Sequence, residues 1–195
     1  MNAIELSDKE LVESYLNGNQ SSFEVLLNRH QSRVFAYIHM LVKDRQLADD
    51  IFQDTFIKVI RTLKGGTYSE EGKFIQWVMR IAHNLIIDHF RKSKRLPLVD
   101  NGPDDYRTAD LLGLSDKNVE EQIITDQIHE DIRKMIDFLP SEQREVLYLR
   151  LYSEMSFKEI AEMTNVSINT ALGRMRYALI NMRKMVKEQN VSLTY

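Results

Sequence analysis

Three groups of residues in this chain carry side-chain types that do chemistry together when a helix brings them to one face. The first is Trp77, Arg80, Asn84, Asp88 and Arg91, spaced by three or four. At about 100° per residue that spacing makes a single helical stripe. An indole stacks, an amide reads base edges, and a guanidinium contacts phosphate or stacks, so the set suits unpaired bases. The same stripe is also compatible with a solvated face, in which Asp88 pairs with Arg91 and Trp77 tucks against the preceding loop. Such i, i+3 pairs are routine and Trp packs well. Spacing alone leaves both readings open.

The second group is Asp49, Asp50, Gln53 and Asp54, with Lys58 and Arg61 beyond them and Ile57 in their midst. Opposite them fall Ile51, Phe52, Phe56, Val59, Ile60 and Leu63. Ile57 is either a lone exposed apolar residue, which periodicity favours, or an anchor ringed by charges, as in a docking patch. The third group closes the chain. Phe157–Ala161, a short turn through Asn165-Val166-Ser167, and a helix to Lys187 read as helix, turn, helix. Between Ser167 and Lys187 there are five cations (Arg174, Arg176, Arg183, Lys184, Lys187) and no acid. Asn169, Thr170, Gly173, Arg176, Tyr177 and Lys184 face outward, with Arg174 and Asn181 at one flank. The seam is Ile168, Ala171, Leu172, Met175, Ala178, Leu179 and Met182. Ala161 permits a close helix crossing and Val166 plugs the turn. A generic helical hairpin with a basic face is possible. The polar first turn and acid-free charge favour a helix-turn-helix that enters the major groove.

The elements that must position these groups are helices throughout. Periodicity predicts helices over Asp8–Asn17, Ser22–Lys43, Leu47–Leu63, Lys73–Lys92, Glu121–Phe138, Ser141–Tyr152, Ser156–Thr164 and Ser167–Lys187. Ser7 or Asp8, Ser21 or Ser22, and Ser141 are the expected N-caps. Lys64-Gly65-Gly66-Thr67 stops the third helix. The fourth buries Ile75, Val78, Met79, Ala82, Ile86 and Phe90. Pro97, Gly102, Pro103 and Gly113 sit in an aperiodic stretch that reads as a linker. The expected architecture is all-α: a helical domain over 1–95, a linker over 96–120, and a second helical domain over 121–195.

Composition narrows the function. Only 7 Gly and 3 Pro in 195 residues argue against a turn-rich all-β chain. Absence of cysteine excludes disulfides and thiolate metal sites. Residues 1–10 hold three acids and no apolar core, unlike a signal peptide. No apolar run is long enough to span a bilayer, so the chain reads as soluble. The net charge of −3 means that nucleic-acid binding must rest on local basic faces. His30, His39, His83, His89 and His129 form no metal-ligand pattern, and most read as surface or core-edge residues. Gly65-Gly66 lacks a phosphate loop around it, and no GxSxG occurs. No catalytic residues, metal or cofactor are expected, and no small-molecule substrate.

In combination these segments resemble a known family. Leu47-Ala48-Asp49-Asp50-Ile51-Phe52-Gln53-Asp54-Thr55-Phe56-Ile57-Lys58-Val59 is similar to the acidic stretch of region 2 in extracytoplasmic-function sigma factors of the sigma-70 family. Phe74-Ile75-Gln76-Trp77-Val78-Met79-Arg80-Ile81-Ala82-His83-Asn84, continuing to Asp88, Arg91 and Lys92, resembles the stretch that follows. Leu139-Pro140 with Gln143-Arg144-Glu145-Val146 resembles the start of region 4, and Phe157–Met182 its helix-turn-helix. The likeness covers nearly the whole chain in the family's order.

The resemblance implies a bacterial transcription initiation factor, cytoplasmic and not an enzyme. Asp49, Asp50, Gln53, Asp54 and Ile57 would dock the β′ clamp helices of core RNA polymerase. Lys73, Phe74, Trp77, Arg80, Asn84, Asp88, Arg91 and Lys92, with the loop Lys64–Phe74, would recognise and hold open the −10 promoter element. Ser167, Asn169, Thr170, Gly173, Arg174, Arg176 and Tyr177 would read the −35 element, and the second domain would contact the β flap. An anti-sigma factor is the further partner implied. Leu172 and Gly173 stand where many members carry Lys and Ser, so the −35 sequence does not follow from the likeness. Two other classes stay distinguishable by experiment. A conventional helix-turn-helix regulator would bind duplex DNA alone as a dimer. A helical adaptor would show no salt-dependent DNA binding.

Overall fold

The computed structural model describes residues 6–69, 72–93, 132 and 134–188. The expected linker, 96–120, lies outside them, as does most of the expected helix Glu121–Phe138 and His129. Every regular element among the described residues is a helix. The chain divides into two compact units, Met1–Tyr106 and Arg107–Tyr195.

The first unit contains α1 (Asp8–Leu16), α2 (Gln20–Val42), α3 (Arg45–Lys64) and α4 (Phe74–Ser93). Ser7 starts α1 with a capping box. Its hydroxyl accepts from the Glu10 N–H at 3.3 Å, and the Glu10 carboxylate accepts from the Ser7 N–H at 2.8 Å. The cap of α2 differs from expectation: Asn19 holds that position with no side-chain bond to a helix N–H, its Oδ1 accepting instead from the Ser21 hydroxyl at 2.7 Å. Ser22 is instead buried inside the helix, its hydroxyl donating to Ser14 Oγ at 2.8 Å. The helix therefore begins two residues before the expected Ser22. Asp44 caps α3, accepting from the Leu47 N–H at 2.9 Å. Gly66 leaves α3 with φ +68°, a left-handed turn that suits glycine.

α2 packs on α1, α3 and α4, and α3 packs on α4. Leu11, Val12, Leu26, Val34, Tyr37, Ile38, Val59, Val78, Met79 and Ala82 fill the core between them. Aromatic contacts Tyr15–Phe23 and Phe52–Phe56, at 5.1 and 4.9 Å between centroids, run along one side of it. Two histidines expected at the surface or core edge are interior. His83 is buried, and its Nδ1 lies 2.8 Å from Tyr37 Oη, joining α4 to α2. His30 is buried too, with Nε2 2.7 Å from the Asp8 carboxylate. Arg29 donates to the same carboxylate at 2.6 Å and to the Leu6 carbonyl at 2.8 Å. Burial tends to raise the Asp8 pKa most strongly. The hydrogen bonds and charges of His30 and Arg29 together outweigh it, so the carboxyl sits below its ordinary value.

The second unit contains α5 (Ser141–Tyr152), α6 (Phe157–Met163) and α7 (Ile168–Glu188), preceded by helical residues 134–137. Pro140, rather than Ser141, is the N-cap of α5, and Ser141 is its first helical residue. Pro140 supplies a preset φ and no side-chain acceptor. Arg144 anchors the break below it: its guanidinium donates to the carbonyls of Asp137 and Leu139, each at 3.0 Å. Leu139, Leu147 and Ala178 are buried together, with Ile136, Met175, Met182 and Met185 packed around them.

Candidate functional site

Chemistry-bearing residues collect on three helical faces, two in the first unit and one in the second. The α3 face keeps the predicted composition. Asp49, Asp50, Gln53 and Asp54 are exposed, and Ile57 is 44% exposed among them. Ala48, Ile51, Thr55, Phe56, Val59 and Leu63 are buried on the opposite side. Thr55 fits there because its hydroxyl donates to the Ile51 carbonyl at 2.7 Å, leaving no buried donor unmatched. The result is a carboxylate-rich surface with one aliphatic side chain projecting from it.

α4 brings Arg80, Asn84, Asp88, Arg91 and Lys92 to one side. Asn84, Asp88, Arg91 and Lys92 are exposed and Arg80 is half-buried. Arg91 donates to Asp88 at 3.1 Å. Both side chains are more than half exposed, so the pair contributes little to stability. Lys73 is exposed just before the helix. Trp77 is half-buried, with the Tyr68 ring 4.2 Å away at 41° and the Phe74 ring 5.9 Å away at 55°. Of the expected −10 residues, Phe74 is placed differently. It is only 1% exposed and packs 5.7 Å from the His30 ring. A side chain at that depth supports Trp77 from beneath and presents no surface to DNA. Phe90, expected in the core, is instead exposed at the far end of α4, where the packing against α2 and α3 runs out.

Tyr68 belongs to this cluster and was not singled out by the sequence reading. It lies in the segment between α3 and α4, where there is no period to assign it a side. The available signal was an aromatic residue shortly after the Gly65-Gly66 turn.

The third face is α7 with its approach from α6. Ser156 caps α6 in a second capping box with Glu159. Ala161 is buried where α6 meets α7, and the Val166 N–H donates to the Ala161 carbonyl at 2.9 Å. Asn165 takes the left-handed turn at φ 54°, which Asn tolerates better than most residues. Ser167 Oγ accepts from the Thr170 N–H at 3.0 Å, and the two hydroxyls are 2.8 Å apart. Asn169, Thr170, Arg176 and Tyr177 are exposed; Gly173 and Arg174 are half-buried. The Glu142 carboxyl is held below its ordinary value first by a backbone N–H and then by the Ser141 hydroxyl, with Arg174 adding less. Asn181 donates to Gln143 Oε1 at 2.9 Å and ties α7 to α5.

The seam of α7 is narrower than predicted. Ala171 and Ala178 are buried and Met175 and Met182 half-buried. Ile168, Leu172 and Leu179 are exposed. Leu172, Met175, Leu179 and Ile180, with Phe157, Arg176 and Arg183, line an open groove of about 470 Å³. Among the described residues no three His, Asp or Glu side chains are placed to hold a metal ion. No described helix is long and apolar enough to cross a membrane.

Comparison with known proteins assigns the two units. Residues 26–96 match Sigma-70 region 2, and residues 129–176 match Sigma-70, region 4. The RNA polymerase sigma-H factor of Pseudomonas aeruginosa is 28% identical over 170 residues, covering 86% of this chain and 87% of its own. The ECF RNA polymerase sigma factor SigW of Bacillus subtilis is 25% identical over 196 residues, covering 95% of this chain and 100% of its own. In fold, the chain is similar to the sigma factor RpoE solved in complex with the anti-sigma factor NepR from Bartonella quintana. That likeness has a TM-score of 0.56 at 21% identity, over 85% of this chain and 96% of that one. Both matched regions occur in order on separate helical units, and the chain belongs to the sigma-70 family as an extracytoplasmic-function RNA polymerase sigma factor, a transcription initiation factor.

Proposed function

We propose that the two faces of the first unit divide the work of initiation between polymerase docking and −10 recognition, and that α7 of the second unit reads the −35 element. The observation that carries this reading is the pairing, on adjacent helices, of an acidic surface around exposed Ile57 with a stripe of indole, amide and guanidinium groups. Asp49, Asp50, Gln53, Asp54 and Ile57 bind the β′ clamp helices. The apolar anchor supplies burial and the surrounding carboxylates supply orientation and partner choice. The same carboxylates repel DNA phosphates, so this face selects a basic protein partner.

Trp77, Arg80, Asn84, Asp88, Arg91, Lys73 and Lys92 hold the opened −10 element. Stacking on an aromatic contributes about 1–3 kcal/mol per base. Phe74 acts beneath them as a support. Ser167, Asn169, Thr170, Gly173, Arg174, Arg176 and Tyr177 form the −35 surface. Thr170 and Ser167 are already hydrogen-bonded to each other, which leaves Asn169, Arg176 and Tyr177 as the reaching side chains. The second unit also meets the β flap.

The domain limits follow as 1–95 and 121–195, with 96–120 as the tether. A tether of that length spans at most about 80–90 Å when extended. Promoter elements two DNA turns apart lie about 70 Å from each other. The factor acts in the cytoplasm and has no catalytic activity of its own. An anti-sigma factor regulates it by covering these faces, as a protein partner of that name accompanies the similar RpoE.

The decisive experiment is transcription in vitro with core RNA polymerase on a template library. Start-site selection that depends on the added protein supports the reading. Correctly folded protein that selects no start site removes it.

A further inference from the structure

We propose that Tyr68 controls access of a DNA base to Trp77: in the free factor its phenol occupies the stacking position that an unpaired base takes on binding. This rests on the reading of α4 as the −10 surface. The two ring centroids are 4.2 Å apart at 41°. Bases stack at about 3.4 Å, so a base held between the two rings would need them about 7 Å apart. The space is already filled, and a base reaches that face of the indole only when the phenol leaves.

Of the three rings in the cluster, Tyr68 is the one carried outside a helix. Phe74 is buried in the first turn of α4 and packed against His30. Trp77 is in the body of α4, its N–H bonded to the Lys73 carbonyl at 3.0 Å. Tyr68 is half-buried, four residues past the end of α3, and meets Phe74 edge-on, at 6.4 Å and 87°. The phenol is a protein surrogate for a base: flat, aromatic and replaceable by any base, since each has a π face. Its presence weakens binding to stray single strands and is overcome where neighbouring contacts to Arg80, Asn84 and Arg91 add to the exchange.

The test uses holoenzyme reconstituted from the full chain and core RNA polymerase. The probe is a fluorescein-labelled non-template-strand oligonucleotide from the opened region of a promoter selected on the template library, with affinity read by anisotropy. Losing the aromatic pair should tighten binding by Tyr68→Ala about two- to tenfold. Tyr68→Leu, which keeps bulk without a π face, should tighten it likewise and guards against local collapse in the alanine variant. Tyr68→Phe should restore wild-type affinity. Unchanged or weaker binding by both Ala and Leu variants overturns the proposal. If that result comes with loss of binding by Trp77→Ala, the −10 reading survives and only the role of Tyr68 falls. If Trp77→Ala binds like wild type, both fall together.

Discussion

Ile57 and Trp77 owe their significance to surroundings that periodicity cannot supply. Ile57 is exposed within a carboxylate surface, so a charge placed there costs the fold little and a partner much. Ile57→Glu should weaken binding to core polymerase by at least about tenfold, as expected for a central apolar anchor. Equal affinity in a pull-down titration would remove Ile57 from the interface. Trp77→Ala should block open-complex formation, read by permanganate reactivity of unpaired thymines, while core affinity stays at the wild-type level. Loss of core affinity would make Trp77 structural. Asp8 offers a test of the first unit's stability. Its carboxyl pKa is depressed in the folded state, so its contribution is present above the ordinary value of 3.8 and is lost as pH falls through the lower folded value. Asp8→Asn should lower the melting temperature near neutral pH by an amount equivalent to about 1–3 kcal/mol. It should also flatten the fall in stability below pH 4. Parallel wild-type and variant melting curves across that range would assign the acid sensitivity elsewhere.

At the scale of elements, Gly173 in α7 separates stability from recognition. An added Cβ would meet nothing within 4 Å, and Gly in a helix interior costs about 0.8–1.0 kcal/mol relative to Ala. Gly173→Ala should therefore raise the melting temperature of the second unit. If the glycine serves close approach to the DNA backbone, the same variant loses affinity for −35 duplex, read by footprinting; unchanged affinity would place it outside the contact. The helices α1 to α7 were legible in the sequence because apolar residues repeat at their period, and their boundaries moved by only a residue or two. What was not legible depends on neighbours. Leu172 and Leu179 share the period of a buried seam, yet both line an open groove beside Phe157 and stay exposed. Phe74 and Trp77 are three residues apart on one helix, and their depths differ because Phe74 packs inward against His30 of α2. Ser22 resembles a cap by type, but the packing of α1 against α2 draws it inside to Ser14.

For the whole molecule, the two units have separate cores, and each has its own helix–helix packing. Residues 1–95 and 121–195 made as separate chains should each unfold cooperatively by circular dichroism, and neither alone should confer start-site selection. A fragment that fails to fold would mean that its core requires the other unit or the intervening segment. The hydrogen bond between Tyr37 and His83 bears on how the intact factor sets distances on DNA. It joins α4 to α2 inside a core that also holds α3, so the acidic α3 face and the α4 stripe, the surfaces proposed for polymerase and for melted bases, are carried by one helical core. Under the proposed division of labour, the count of nucleotides from the captured bases to the first one copied into RNA should be the same at every promoter served. Under the same proposal the upstream duplex belongs to the other unit, and variation in promoter length should be tolerated on that side alone.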